Sequence, residues 1–284
     1  MSDELSPEML EEAAPDLLTL EDEDGKEVTF EVIDATEVNG TRYLAVIPYQ
    51  EDPESLQEDA ELILMRIGTD DEGEYMDIVD DDEELITVGK VFEERLRAML
   101  HDKRTSCLGE IGLDYHYDLS PREDQERAFR AQVRIAKEAG LPVMLHIREA
   151  HDDALAIMRD EGWPEAGCIL HCFTNDWGTL EPWIEAGCSV TFGGALTFNN
   201  GDAIRDAAAR VPEMQLMVET DSPYMAPKPL RGEVCEPAMV VFTESALADV
   251  RGAEGEERLA LFRRVLTNAE SMLNRPPTAW QLGK

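Results

Sequence analysis

The chain lacks any stretch approaching the roughly 18 to 20 uninterrupted apolar residues that crossing a bilayer requires. Its opening run, MSDELSPEMLEE, has neither a basic nor an apolar leader region. Neither a membrane protein nor a secreted precursor is therefore expected, and a cytoplasmic location is. Cysteine is scarce: Cys107, Cys168, Cys172, Cys188 and Cys235 form an odd set without a C-x-x-C pair. That pattern suits reduced thiols rather than a disulfide framework. Positive charge is scarce too, with 25 basic side chains against 62 acidic ones and a net charge of −37. A general basic surface for gripping a nucleic-acid backbone is excluded, so a polyanionic substrate would have to be held by something other than net charge. No histidine precedes His101.

What is present is unevenly spread. The 284 residues, 43% of them hydrophobic, suffice for one large or two modest domains. Residues 1–100 hold 32 acidic and 6 basic side chains, whereas residues 101–284 hold 30 and 19. Salt adaptation would spread acid throughout, so the acid marks an N-terminal module. The expected organisation is an acidic flexible lead-in over 1–16, a small acidic domain over 17–100 and a larger domain over 101–284.

The small domain reads as an antiparallel meander with one apolar face. Leu18 to Leu20 precede the turn signal Asp24-Gly25, Val28, Phe30 and Val32 alternate with polar residues, and Asn39-Gly40 marks a tight turn before Tyr43 to Ile47. Leu62 to Ile67 and Tyr75 to Val79 follow as strands. A helix over about 83–100 carries Leu85, Val88, Phe92, Leu96 and Met99 at helical spacing. The carboxylate run Asp80 to Glu84 lacks the glycine-containing spacing of a calcium loop and reads as a solvated face. The segment resembles the small acidic YrzB-like bacterial domain of unknown function, through Leu18 to Gly25, Glu31-Val32, Tyr43-Leu44-Ala45 and Val91 to Glu94. That resemblance implies no chemistry.

From residue 101 the pattern becomes strand then helix, repeatedly. Strands are expected at Cys107 to Leu113, Pro142 to His146, Cys168 to Cys172, Ser189 to Gly194 and Leu216 to Thr220, and helices at 120–140, 152–161, 176–186, 201–210 and 256–274. Ser120-Pro121-Arg122-Glu123 reads as a capping-box start, Phe129, Val133 and Ala136 as its helix's buried stripe, and Gly140 as its stop. Alternation of buried strands with helices means a parallel α/β domain.

Glu110, His146, His171 and Asp221 each fall at or near the end of an expected strand. In a (β/α)₈ barrel such ends converge on one rim, where imidazoles and carboxylates can hold a divalent ion that polarises a phosphoryl or carbonyl oxygen. Taken singly, each has a plain alternative: a strand-end histidine is often structural, and Asp221 before Ser222-Pro223 suits a turn cap. The pattern leaves a metal-dependent hydrolase beside phosphate-binding barrels and doubly wound α/β proteins. Arg148, His151, Lys228 and Arg231 are candidate substrate-phosphate contacts, each with a solvated alternative, and His116 has no assigned role. The four tryptophans read as packing residues. Cys168 and Cys172 bracket His171, but strand alternation puts His171 and Cys172 on opposite faces, which argues against a zinc–thiolate set.

Five blocks in order carry a more specific resemblance: Gly109 to Tyr115, Leu145 to His151, His171-Cys172-Phe173, Thr191 to Gly194 and Glu219 to Tyr224. With Arg231-Gly232, Glu236-Pro237 and Thr267-Asn268-Ala269, roughly residues 96–275 resemble the TatD family of metal-dependent deoxyribonucleases. The resemblance implies a TIM-barrel hydrolase of phosphodiester bonds acting on DNA ends with Mg²⁺, Mn²⁺ or Zn²⁺. Glu110, His146 and His171 would be metal ligands, and Asp221 a ligand that orients or deprotonates the attacking water. Glu110 and Asp221 are thus the catalytic candidates.

The family's opening strand with its His-x-His pair has no counterpart here, and five strands of eight are recognisable. The fold expected is α/β, a partial TIM-barrel-like domain behind a small acidic β-rich one. One metal site rather than two, weakened activity and self-association through open barrel edges follow as expectations. The alternative is a non-catalytic fusion acting as an interaction module.

Overall fold

The computed structural model describes residues 17–21, 27–49, 63–70, 73–79, 81–118 and 120–283. The expected lead-in over 1–16 and the turn at Asp24-Gly25 lie outside them. The chain divides into two compact units between Arg95 and Leu96, each with its own five-stranded sheet.

In the first unit, β1 (Leu17–Glu21), β2 (Glu27–Val38), β3 (Thr41–Pro48), β4 (Ile63–Asp70) and β5 (Gly73–Ile78) pair antiparallel in chain order. The β2–β3 hairpin closes through Asn39-Gly40, at φ 54° and 85°, a two-residue turn whose left-handed pair matches the twist of the strands. Where one apolar face was expected, there are apolar clusters on both. Phe30, Val46 and Met65 are buried on one face, while Tyr43 and Val79 pack on the other with Val88 of α1 (Asp82–Leu100). The reason is a register shift between Val32 and Asp34. It resets the alternation, so that Val28, Phe30 and Val32 join the first cluster and Val38 the second. Acidic residues here also hold structure together. Asp81 accepts the Glu84 N–H at 2.8 Å, and the Glu84 carboxylate accepts from the Tyr43 hydroxyl at 2.6 Å and from Arg66 at 2.9 Å.

The second unit alternates β6 (Leu108–Asp114), α2 (Arg122–Ala139), β7 (Val143–Arg148), α3 (His151–Glu161), β8 (Cys168–Leu170), α4 (Trp177–Glu185), β9 (Ser189–Phe192), α5 (Asp202–Arg210) and β10 (Leu216–Val218). Helices α6 (Val240–Val250) and α7 (Gly255–Leu273) follow. The strands pair parallel in the order β10-β9-β8-β7-β6. Sequence neighbours are therefore sheet neighbours throughout, without the reversal of strand order that defines an open doubly wound sheet. This is the progression of a (β/α)₈ barrel wall, with five of its strands in this sheet.

The expected stripe on α2 is buried: Phe129, Val133 and Ala136 have no exposure. Gly140 at φ 67° stops the helix, its N–H reaching Ala136 and Lys137 carbonyls. The expected Ser120 cap does not form, because Pro121 occupies the cap position without a side-chain bond. Gln125 takes over, donating to the Ser120 carbonyl at 2.9 Å and accepting the Asp114 N–H at 2.9 Å, which ties the helix start to the end of β6. Trp183 is fully buried with Trp163 edge-on at 6.0 Å, so these two tryptophans are packing residues as expected. Helix α6 was not expected, since Val240-Val241-Phe242 opens it with an apolar run rather than a stripe. At the C-terminal end, the Gln281 amide donates to the carbonyls of Leu100, Asp102 and Thr105 at 3.1, 2.8 and 2.9 Å. Trp280 stacks on His101 with ring centroids 3.6 Å apart.

Close approach of β6 to β7 depends on the glycines of β6, Gly112 above all. A Cβ at Gly112, which has φ 154°, would lie 1.8 Å from the His146 carbonyl oxygen. Gly112→Ala is expected to cost at least about 2 kcal/mol in urea unfolding. Gly187→Ala, at φ 90° with open space around it, should cost about 1 kcal/mol; equal losses would contradict the close-contact argument. Strands β6 and β10 are the edges of their sheet, and open edges template pairing. Light scattering at tens of micromolar is therefore expected to report self-association, against which a clean monomer would count.

Candidate metal centre

The parallel strands deliver the predicted side chains to one end of the sheet. Glu110 and His146 lie within β6 and β7, His171 directly follows β8, and Asp221 lies three residues beyond β10. Glu110 Oε2 stands 3.8 Å from His146 Nδ1 and 3.4 Å from His171 Nε2, and Asp221 Oδ1 is also 3.4 Å from His171 Nε2. One potential ligand atom from each of Glu110, His146 and His171 lies within 4.8 Å of the others, and a second such group joins His171 to Cys172, Glu219 and Asp221. The four predicted residues thus form two donor groups that share His171.

Each imidazole has its outer nitrogen tied to a carboxylate. His146 Nε2 meets Asp114 Oδ2 at 2.8 Å, and His171 Nδ1 meets Glu219 Oε2 at 2.8 Å. Such bonds orient a ring and hold its proton on the far side, leaving the inner nitrogen as a donor atom. Asp114 is itself fixed by the backbone N–H groups of His116 and Tyr117 at 3.0 and 3.1 Å, and Glu219 Oε2 accepts the Thr191 hydroxyl at 2.5 Å. The donor set, two imidazoles with carboxylates on oriented rings, suits a divalent cation. Glu219 Oε1, buried without a hydrogen-bond partner, is an acceptor that a cation would satisfy.

Without a cation the surrounding carboxylates favour a protonated His171, a proton that a bound cation would displace. Burial disfavours charge on His171, but Asp221, Glu219 and Glu110 outweigh it and hold the imidazole pKa up to about 10. Burial would raise the Asp221 pKa; its contact with His171 wins and holds it below the ordinary carboxylate range. Asp114 is lowered too, burial being outweighed by His146 and the Tyr117 amide. Asp221 adopts a left-handed φ of 62°, a conformation unfavourable for a side-chain-bearing residue that concentrates at functional sites.

The remaining candidates fall differently. Arg148 stacks on Tyr117 at 4.2 Å and Arg231 on Phe198 at 3.6 Å, and Lys228 Nζ bonds Asn199 Oδ1. Among the described residues none of these three cations makes an ion pair. His151 is mostly enclosed, bonded through Nε2 to Asn175 at 3.1 Å and edge-on to Phe173 and Trp183. Burial pushes its pKa down to about 4, so it is a neutral packing group and not a phosphate cation. His116 pairs with Glu149 at 2.7 Å.

Cys172 requires a correction. The strand ends at Leu170 and Cys172 has φ 43°, so alternation no longer applies, and its thiol points to Asp221 Oδ2 at 3.5 Å. Asp114 and Glu219 escaped the sequence reading. Their only signals were carboxylates spaced close to predicted ligands, at 114 after 110 and 219 before 221.

A family model described as TatD related DNase matches residues 76–273, and one described as a protein of unknown function (DUF1292) matches residues 23–97. The chain is 41% identical over 164 residues to the uncharacterized metal-dependent hydrolase YcfH of Escherichia coli strain K12, covering 58% of this chain and 62% of that one. It is 32% identical over 189 residues to a protein of Erwinia billingiae named 3'-5' ssDNA/RNA exonuclease TatD, covering 64% and 70%. The chain spans about three-fifths of the length of the metal-dependent hydrolases it matches. Among solved structures, YJJV, a TatD homolog from Escherichia coli, superposes with a TM-score of 0.61 at 27% identity, over 66% of this chain and 71% of that one.

The raised His171 pKa makes the stability of the metal-free chain depend on pH. The unfolded pKa is near 6.5 and the folded one about 10, so the contribution is complete below about 6.5 and is lost as pH rises towards 10. The slope should approach about 1.4 kcal/mol per pH unit. Urea unfolding between pH 7 and 9 in chelator should show this loss relative to His171→Gln, and parallel curves for the two proteins would contradict it.

Proposed function

The chain belongs to the TatD-related DNase family, and on that premise we propose that it hydrolyses phosphodiester bonds at nucleic-acid ends with one divalent cation held by Glu110, His146 and His171. The observation that carries this reading is the approach of Glu110 Oε2 to both inner imidazole nitrogens, with each outer nitrogen anchored on a carboxylate. A cation bound there supplies Lewis-acid polarisation of a phosphoryl oxygen.

The chain's own groups do the rest. Asp114 and Glu219 hold the rings so that no rotamer search is needed when substrate arrives. Asp221, ionised because its pKa is depressed, accepts a hydrogen bond from the attacking water and aims it at phosphorus. Arg148, Lys228 and Arg231 lean on aromatic or amide partners rather than on carboxylates. They keep their charge available for substrate phosphates in a chain of net charge −37. A site holding a single cation would supply less charge stabilisation, and losing about 3 kcal/mol of it would cost roughly a hundredfold in rate.

Incubation with single-stranded DNA and Mn²⁺ should release nucleotides and stop on chelation. Asp221→Asn should lower kcat by roughly 10² or more, whereas Arg148→Ala and Arg231→Ala should chiefly raise KM. Absence of metal-dependent release under all of these conditions would favour the non-catalytic fusion.

A further inference from the structure

We propose that Cys172 gives this centre a second, sulfur-bearing cation position. In it, thiophilic ions such as Cd²⁺ or Zn²⁺ bind between His171, Cys172, Asp221 and Glu219 and compete, through the shared His171, with a harder ion on the Glu110 side. The proposal rests on the metal-binding reading above, and it adds a donor which that reading does not use.

Four observations carry it. Potential ligand atoms of His171, Cys172, Glu219 and Asp221 all lie within 4.8 Å of one another, so the thiol belongs to a mixed cluster. Its orientation follows from the backbone: beyond the last residue of β8 the left-handed φ of 43° at Cys172 turns Sγ to within 3.5 Å of Asp221 Oδ2. Glu219 divides its oxygens, Oε2 being engaged by His171 and Thr191 while Oε1 is buried without a partner. Finally, Gly193 leaves room beside both groups: a Cβ there would come into ordinary contact with them, 3.6 Å from Cys172 Sγ and 3.8 Å from Glu219 Oε1.

The chemistry of the donors separates the two positions. Glu110 with two imidazoles is a hard to borderline set, acceptable to Mn²⁺ or Mg²⁺, whereas a thiolate selects Zn²⁺, Cd²⁺ or Co²⁺. Binding on the sulfur side exchanges the thiol proton for the cation and releases that proton to solvent, with no change of oxidation state. The two positions share His171, whose Nε2 is 3.4 Å from both Glu110 Oε2 and Asp221 Oδ1, so an ion that takes this nitrogen on one side removes it from the other. A thiophilic ion would therefore draw His171 out of the proposed catalytic set and act as an inhibitor.

The test is titration of the full chain with Cd²⁺, reading the ultraviolet thiolate-to-cadmium charge-transfer band. Parallel Mn²⁺ binding is read from loss of the free-ion electron paramagnetic resonance signal. The expected result is a band that saturates at one cation per chain while bound Mn²⁺ is displaced. In Cys172→Ser the band should vanish and Cd²⁺ affinity fall roughly tenfold or more, with Mn²⁺ affinity unchanged. Gly193→Ala, which retains the thiol but fills the space, should weaken Cd²⁺ selectively. The position of Cys172 as a ligand is overturned if no band forms while Mn²⁺ binds, or if the band persists in Cys172→Ser, since another cysteine would then be its source. Loss of Mn²⁺ binding in Glu110→Gln supports the harder position independently, and failure of the wild-type chain to bind either ion overturns both readings.

Discussion

The contact between His171 Nδ1 and Glu219 Oε2, at 2.8 Å, organises the site. It fixes the ring of a side chain that is only 8% exposed, so that Nε2 points inward between Glu110 and Asp221. Thr191 steadies the same carboxylate oxygen, which makes β9 a supporting strand although it contributes no donor to the cluster. A buried carboxylate is costly unless its oxygens are bonded. Here one oxygen is engaged in two hydrogen bonds and the other is left as an unsatisfied acceptor. The site is thus stabilised in its orientation and left incomplete in its charge, the condition under which a cation binds most favourably.

Charge is handled differently in the two units. The acid of the first unit includes working members such as Asp81 at a helix start and Glu84 on Tyr43 and Arg66. In the second, several arginines are paired on the surface, among them Arg122 with Asp118 and Arg210 with Asp206, and such exposed pairs contribute little to stability. Arg148 and Arg231 instead lie on aromatic rings beside the strand ends. A cation stacked on a ring retains its full charge towards a third group. Local positive potential can therefore coexist with a strongly negative whole.

Much of the architecture was legible beforehand. The β2–β3 turn at Asn39-Gly40, the Phe129, Val133 and Ala136 stripe and the Gly140 stop follow from short-range rules of backbone sterics and helical period, which hold wherever the segment is placed. Gln125, Cys172 and Glu219 were not legible. Gln125 replaces Ser120 at the start of α2 because Pro121 holds the cap position. Cys172 turns inward because β8 ends earlier than its apolar run. The second apolar face of the small sheet depends on a register shift after Val32, which a pattern of alternation cannot register.

The sequence by itself determined the two-part grammar, the parallel strand–helix series and the residue types Glu110, His146, His171 and Asp221 at strand ends, since period and turn chemistry are local properties. Tertiary structure alone decided which atoms face one another. It set His171 Nε2 equidistant from Glu110 and Asp221, assigned Asp114 and Glu219 to the outer nitrogens, brought a thiol into the cluster and withdrew His151 into packing against Trp183. Those outcomes depend on strand register and on the end of each strand to within a residue. Both are set by packing between segments far apart in the chain, such as the approach of Gly112 to the His146 carbonyl, where an added Cβ would stand only 1.8 Å away.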